Sequence, residues 1–241
     1  MAHARRLYVL PPSHFCERAR WGLDHAGADY AEIRWAPGIH VPLARRLAPR
    51  TSLPILADGE TVVQGSGAIL DFLGTAGGDA ALEDRFEHRI GPLVSRYLYS
   101  ATLHDPGSGV RDMVVAGLPG WQRLVGAATW PLVRRGITAG MQARPEFTAT
   151  LEGEVEAELD WFDGRIGGAD HLVGGGFGRA DITAASILSP LAMPPDMPLY
   201  GRLRPPPAVA AALARWRARP SLKWVLRTYA GYRRVSGSRP A

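Results

Sequence analysis

The sequence is poor in the residues that carry disulfide and metal chemistry. It holds one cysteine, Cys16, which excludes an intramolecular disulfide and any metal site built from several thiolates. Its seven histidines are scattered, none in a ligand spacing such as HExxH, so no metal is expected. Lysine is nearly absent: Lys223 stands alone and every other cation is arginine. Acidic residues stop at Asp196, while Arg202, Arg204, Arg215, Arg217 and Arg219 begin a basic C-terminal stretch. We read that stretch as a solvated helix face and tail, with attraction of an anionic partner as the alternative. No nucleic-acid motif accompanies it, so nucleic acid is not an expected partner. No apolar run reaches the length of a membrane span. The apolar stretch over residues 7–10, after a basic N-terminus, is too short for a signal-peptide core. A cytoplasmic protein is the expectation.

What is present suits a globular chain. With 241 residues, 46% of them hydrophobic and a net charge of +5, it can build two small domains with a sizeable core. Residues 5–10 (RRLYVL) read as a strand ended by Pro11 and Pro12. Ser13 stands where a helix N-cap would, and Phe15, Ala19, Leu23 and Ala26 give the following helix one buried face. Residues 30–35 alternate as a second strand, and a short helix is predicted near 41–47. Two β runs, 53–57 and 61–63, joined through Asp58-Gly59, signal a hairpin. Ser66 is expected to cap a helix over 67–73, closed by Gly74. The predicted order over about the first 75 residues is β-α-β-α-β-β-α.

Residues 75–79 (TAGGD) are a linker by composition. Beyond them only helices are predicted, at about 82–103, 120–141, 146–166, 180–191, 208–218 and 222–232. The stretch 120–141 combines Trp121 and Trp130 with Arg123, Arg134 and Arg135. A membrane-surface pattern is one reading; the preferred one is a core helix pair broken at Pro131, with no membrane contact.

Four stretches carry a resemblance. Ser13-His-Phe-Cys16-Glu-Arg-Ala-Arg20 resembles the Cys-Pro-x-Cys-x-Arg-Val-Arg run of glutaredoxins and some glutathione transferases, with Ser13 in the first cysteine's place and His14 in the proline's. Residues 53–73, from Leu53-Pro54 through Asp58-Gly59 to Gln64-Gly65-Ser66 and Leu73, are similar to the family's Val-Pro…Asp-Gly…Glu-Ser-x-Ala-Ile run. Phe177-Gly-Arg-Ala-Asp181-Ile182 resembles the capping motif of the helical domain's central helix. Ala218-Arg-Pro220-Ser is similar to the stretch at the last helices. Coverage is weakest over 105–145.

The chain is thus identified by resemblance as a member of the glutathione S-transferase superfamily. The implied fold is an α/β thioredoxin-like domain (residues 1–76) that binds glutathione, followed by an all-α helical domain (80–235) that forms the electrophile pocket, and a flexible tail (236–241). The resemblance makes Pro54 the cis-proline, whose missing N–H leaves the backbone of Leu53 to the cysteinyl part of glutathione. It gives Ser66, at a helix N-terminus, the γ-glutamyl carboxylate. Gly65 replaces the family's acidic or amide residue, and the adjacent Gln64 is its substitute. Arg50 and Thr51, just before the strand that would hold the ligand, are candidates to meet the glycine carboxylate, with a surface role as the equal alternative, and His40 is a weaker candidate. Ser13, the implied catalytic residue, would stabilise a thiolate through its hydroxyl and the helix dipole. Cys16 is read as a small buried residue; exposed, it would be the thiol of a thiol–disulfide reductase.

With Gly178 as N-cap, Asp181 falls at the capping-box position, and Phe177 and Ile182 form a hydrophobic staple. These three are structural. The expected function is activation of the glutathione thiol for attack on a small-molecule electrophile, by a homodimer. A glutathione-dependent isomerase, a reductase using Cys16 and a non-catalytic binding protein of the same fold are the alternatives.

Overall fold

The computed structural model describes residues 5–234 and 239–240. The N-terminal domain is built on a mixed sheet in the order β4-β3-β1-β2-β5. Strands β1 (Arg5–Val9) and β2 (Tyr30–Arg34) run parallel, joined through α1 (His14–His25). After α2 (His40–Leu47), β3 (Ile55–Asp58) returns antiparallel to β1 and turns at Gly59-Glu60 into β4 (Thr61–Gln64). Helix α3 (Ser66–Phe72) completes the domain. Of the tail, β5 (Arg239–Pro240) pairs with β2; residues 236–238 and 241 lie outside the described residues.

Alternation along β1 sorts the two faces of the sheet. Leu7 and Val9 point to one side, where they pack with Cys16, Ala19 and Leu23 of α1 and Ile69 of α3. Tyr8 points to the other, against Trp35 at a ring separation of 4.7 Å, beneath Ala44 of α2. The sheet is therefore covered on both faces.

The helical domain begins with α4 (Ala80–Arg85), which passes through a π-helical stretch, Phe86–Ile90, into α5 (Gly91–Thr102). Then come α6 (Val110–Ala116), α7 (Gly120–Ala128), α8 (Trp130–Met141), α9 (Thr148–Ile166), α10 (Arg179–Ala192), α11 (Pro207–Arg217) and α12 (Pro220–Tyr232). Helix α10 is buried from Ala180 to Ala192 and forms the axis of the larger core, with Phe86, Tyr97, Phe162, Trp216 and Trp224 around it. Trp21 of α1 belongs to that core too, so α1 is shared by both domains.

Ions reinforce the join. Arg18 of α1, with no exposed side chain, reaches Glu83 and Glu87 at 2.8 Å each. Arg179 of α10 also holds Glu83 at 2.6 Å. The linker takes part as well: Ala76 and Gly77 carbonyls accept the first free N–H groups of α10, from Arg179 at 2.8 Å and Ala180 at 3.0 Å. That contact explains Gly178. A Cβ there would lie 2.9 Å from the Ala76 oxygen and 3.0 Å from the Gly77 Cα. Gly178 has no side chain to cap with, so only the reciprocal half of the capping box forms, Gly178 N–H to Asp181 at 2.9 Å. The other oxygen of Asp181 accepts from Leu172 N–H at 2.9 Å, which ties the preceding loop to the helix. Ile182 is fully buried, while Phe177 stacks on Tyr232 at 4.3 Å.

One stretch departs from expectation. Residues 120–141 do not form a core pair. The break falls at Thr129, with Pro131 in the first turn of α8, where its missing N–H costs no bond. Helix α8 buries no residue, and Trp121, Leu124 and Leu132 are exposed. Helix α7 is held through Gln122, whose amide accepts from Ala36 N–H at 2.8 Å and donates to the Arg34 carbonyl at 3.2 Å. That polar clip to the end of β2 stands where a core pair was expected. Among the described residues no helix is long and apolar enough to cross a membrane.

Candidate functional site

Strand register collects the site at one end of the sheet. Tyr8, near the end of β1, pairs with Ile55 at the start of β3, which pairs with Gln64 at the end of β4. The Pro11–Ser13 turn, Leu53-Pro54 and Gly65-Ser66 therefore all emerge from the same edge. Sequence reasoning named each of these segments; their convergence is a consequence of the topology.

Ser13 is the N-cap of α1. It is half-buried, and its hydroxyl accepts from Cys16 N–H at 3.4 Å. The turn that carries it is pinned from three directions. Ser13 N–H donates to the Leu10 carbonyl at 3.1 Å, Arg20 reaches the Pro11 carbonyl at 3.4 Å, and the Tyr200 hydroxyl donates to the Pro12 carbonyl at 3.3 Å. Arg20 is itself fixed by Glu32 at 2.6 Å and Glu17 at 3.5 Å. Arg233 closes the cluster on Glu17 at 2.7 Å and Asp24 at 2.6 Å. Sequence reasoning missed Tyr200 and Arg233 as supports of this turn, because their partners lie more than 180 residues away in the chain.

Cys16 is fully buried. Burial raises its thiol pKa, an effect only partly offset by Arg20 and the Ser13 hydroxyl. An acidic, accessible thiol is what a nucleophilic cysteine needs, and this environment supplies neither property.

The Leu53–Pro54 peptide bond is cis. Leu53 lies just before the β3–β4 ladder, which starts at Ile55. Gly65, not Ser66, is the N-cap of α3, and Ser66 is its first residue. Gly65 holds φ of 103°, a region that side chains rarely adopt. Ser66 is 2% exposed and its hydroxyl has no hydrogen-bond partner. Gln64 is otherwise engaged: its amide donates to the Arg50 and Ser52 carbonyls at 2.7 and 2.8 Å and accepts from Arg50 N–H at 3.1 Å. It shapes the loop before Leu53 rather than offering a free contact. Arg50 is exposed, and its guanidinium lies 3.9 Å from where a Cβ of Gly65 would stand. Thr51 is half-buried on the same loop. His40 lies apart, beyond β2, with Nδ1 accepting from Gly38 N–H at 3.1 Å.

Beside Ser13 a cavity of about 140 Å³ lies between the domains. Its N-terminal wall includes Leu10, Ser13, His14 and Phe15; the helical wall includes Tyr99, Met113 and Tyr200. Burial pushes the Tyr99 hydroxyl pKa up to about 12, so it stays protonated.

A thioredoxin-like domain with this edge site is closed by a helical domain that supplies an apolar wall. Residues 7–80 match the family described as glutathione S-transferase, N-terminal domain. That similarity spans the N-terminal domain.

No curated protein matches the chain. Solved structures do. A glutathione S-transferase of Ceriporiopsis subvermispora in complex with glutathione shares 15% identity at a TM-score of 0.66, over 98% of this chain and 100% of its own. A theta class glutathione S-transferase of Xanthomonas axonopodis pv. citri with glutathione bound shares 21% at 0.55, over 94% and 98%. The β-etherase LigF from Sphingobium sp. shares 17% at 0.58, over 93% and 99%. At these identities the likeness is one of fold.

Proposed function

We propose that this protein binds glutathione along the sheet edge and activates its thiol at Ser13 for attack on a small electrophile held in the interdomain cavity. One observation carries the reading. Ser66, at the start of α3, shares one end of the sheet with the cis Leu53-Pro54 bond and Ser13, and Ser13 opens onto an apolar cavity. Glutathione supplies the thiol. Ser66 and the N–H groups at the start of α3 receive its γ-glutamyl carboxylate, the backbone of Leu53 pairs with its cysteinyl part, and Arg50 meets its glycine carboxylate. The Ser13 hydroxyl donates toward the sulfur at the start of α1, where free N–H groups favour negative charge. Each pKa unit by which the thiol is acidified is about 1.4 kcal/mol of thiolate stabilisation. The helical wall positions the electrophile within reach, the source of most of the remaining rate gain.

The burial of Cys16 favours this reading over a thiol–disulfide reductase. A cytoplasmic homodimer is part of the proposal, supported by the superfamily resemblance. Calorimetric titration of glutathione into the wild type and Ser66→Ala tests the reading. Binding by the wild type, weakened at least about tenfold in Ser66→Ala as expected for a lost hydrogen bond to a charged group, supports it. Absence of binding to the wild type at millimolar glutathione rejects it.

A further inference from the structure

Helix α7 turns Gln122 and Gly126 to the protein and its large apolar residues to solvent. Gln122 and Gly126 are its buried positions, and Gln122 is spent on the end of β2. Trp121, Leu124 and Val125 follow the spacing of one helix face and are 61%, 72% and 41% exposed. This inverts the usual amphipathic helix, which hides its apolar stripe against a core. Helix α8 begins one residue further on, buries nothing and exposes Leu132. Exposed apolar side chains grouped in this way mark an interaction surface.

Charge narrows the partner. Residues 113–145 contain no Asp or Glu, while Arg123, Arg134, Arg135 and Arg144 fall inside that span. Elsewhere arginines are drawn to carboxylates, as Arg18, Arg20, Arg179 and Arg233 are. Among the described residues Arg123, Arg134 and Arg135 have no such partner, and Arg144 reaches Glu146 only at 3.9 Å. Arg134, Arg135, Arg144 and His104 line one open groove along α8, a donor set that suits a phosphate group. A second copy of the chain is a poor occupant, because a two-fold contact would set these arginines against themselves. An acidic protein would need a surface shaped to two successive helix ridges. A bilayer accepts an apolar ridge flanked by cations without that match.

We propose that the α7–α8 segment docks this protein on the surface of an anionic lipid bilayer. Trp121, Leu124 and Leu132 enter the headgroup boundary, and Arg134, Arg135 and Arg144 meet lipid phosphates. Tryptophan suits that boundary, with an apolar body and one N–H donor. The association is peripheral, since no described helix is long and apolar enough to cross a membrane. Met141 of α8 lines the cavity beside Ser13, so docking holds that cavity near the bilayer. The proposal goes beyond the thiol reading and does not depend on it.

The full chain is mixed with vesicles of phosphatidylcholine alone, or of phosphatidylcholine with an equal part of phosphatidylglycerol. Cosedimentation at low and high salt reads the bound fraction, with no glutathione present. The wild type should bind the anionic vesicles, leave them as salt is raised, and ignore the neutral ones. Arg134→Gln with Arg135→Gln should weaken binding about thirtyfold, the loss expected for two cations at a charged surface. Trp121→Gln with Leu124→Gln should weaken it at least about tenfold. Vesicles with brominated acyl chains should quench the wild-type fluorescence, because Trp121 is the only exposed tryptophan among the described residues. Trp121→Phe should bind nearly as well and be quenched less.

Failure of the wild type to bind anionic vesicles at low salt would overturn the proposal. So would binding that both double variants retain, which would move the contact to another basic surface such as the C-terminal helices. A dimer that Trp121→Gln with Leu124→Gln splits into monomers, read by sedimentation velocity, would give this face to a second copy and overturn it too. Should a variant fail to fold, the contrast between the two vesicle types and the quenching of the wild type still decide.

Discussion

Replacing Arg18 by methionine should loosen the join between the domains, and the structure sets the scale. The guanidinium is fully buried and bridges Glu83 and Glu87 at 2.8 Å each. Burial lowers its pKa, while the two carboxylates work in the opposite direction. Methionine keeps most of the volume and removes the charge. Breaking a buried ion pair from one side costs about 3–5 kcal/mol, because the partner is left desolvated and unpaired. Here two features reduce the cost. Glu83 keeps Arg179 at 2.6 Å, and the Glu87 side chain is 32% exposed and can hydrate. The expected loss is therefore near the lower end, about 3 kcal/mol. At about 2–4 °C per kcal/mol for a chain of this size, the melting temperature should fall by about 6–12 °C. Urea unfolding with tryptophan fluorescence is the assay; Trp21 on α1 reports the interface because it packs into the helical core. Adding Glu87→Gln to Arg18→Met should recover part of the loss, since the second change neutralises the orphaned carboxylate. A single variant within about 0.5 kcal/mol of wild type would refute the view that this bridge couples the domains.

Other expectations follow from the same contacts. His14 has a native pKa lowered to about 3 by burial, below the 6.5 of the free side chain. The unfolded chain binds the proton first, so its contribution is complete above about pH 6.5 and is lost as pH falls toward 3, at about 1.4 kcal/mol per pH unit. Stability of His14→Phe measured against pH should lack this part of the acid limb; identical slopes would contradict it. Gly178→Ala should destabilise by about 1–3 kcal/mol, because its Cβ would meet the linker backbone at 2.9 Å; a stabilised variant in urea melts would show that the linker yields. Native Cys16 should resist iodoacetamide at neutral pH and react on unfolding, and rapid native alkylation would restore the reductase reading.

Much of the N-terminal domain was legible because its signals are local. Pro11-Pro12 ends a strand, Ser13 caps a helix, and Asp58-Gly59 marks a turn; each acts within a few residues. The site's segments were legible through Leu53-Pro54 and Gly65-Ser66. The fine placement of Ser66 was not, because the positive φ of Gly65 shifts the cap by one residue. The role of Gly178 was hidden for another reason: the linker backbone does the capping, and no side-chain code records that. Arg18 and Arg20 look like surface arginines in sequence, yet both are drawn inside by carboxylates from distant elements. Over residues 120–141 the expected core pair is not what the fold provides. One polar clip at Gln122 holds α7, and its partners on residues 34 and 36 could not be foreseen from helical spacing.

The central claim is that Ser13 activates a bound thiol, and the ultraviolet thiolate band of glutathione in complex tests it most directly. Recorded against pH at saturating protein, the band should appear well below the pKa of free glutathione with the wild type. With Ser13→Ala the thiolate should appear only near the free value, while glutathione remains bound. A band that titrates identically in both proteins would contradict the account and leave Ser13 as a helix cap only.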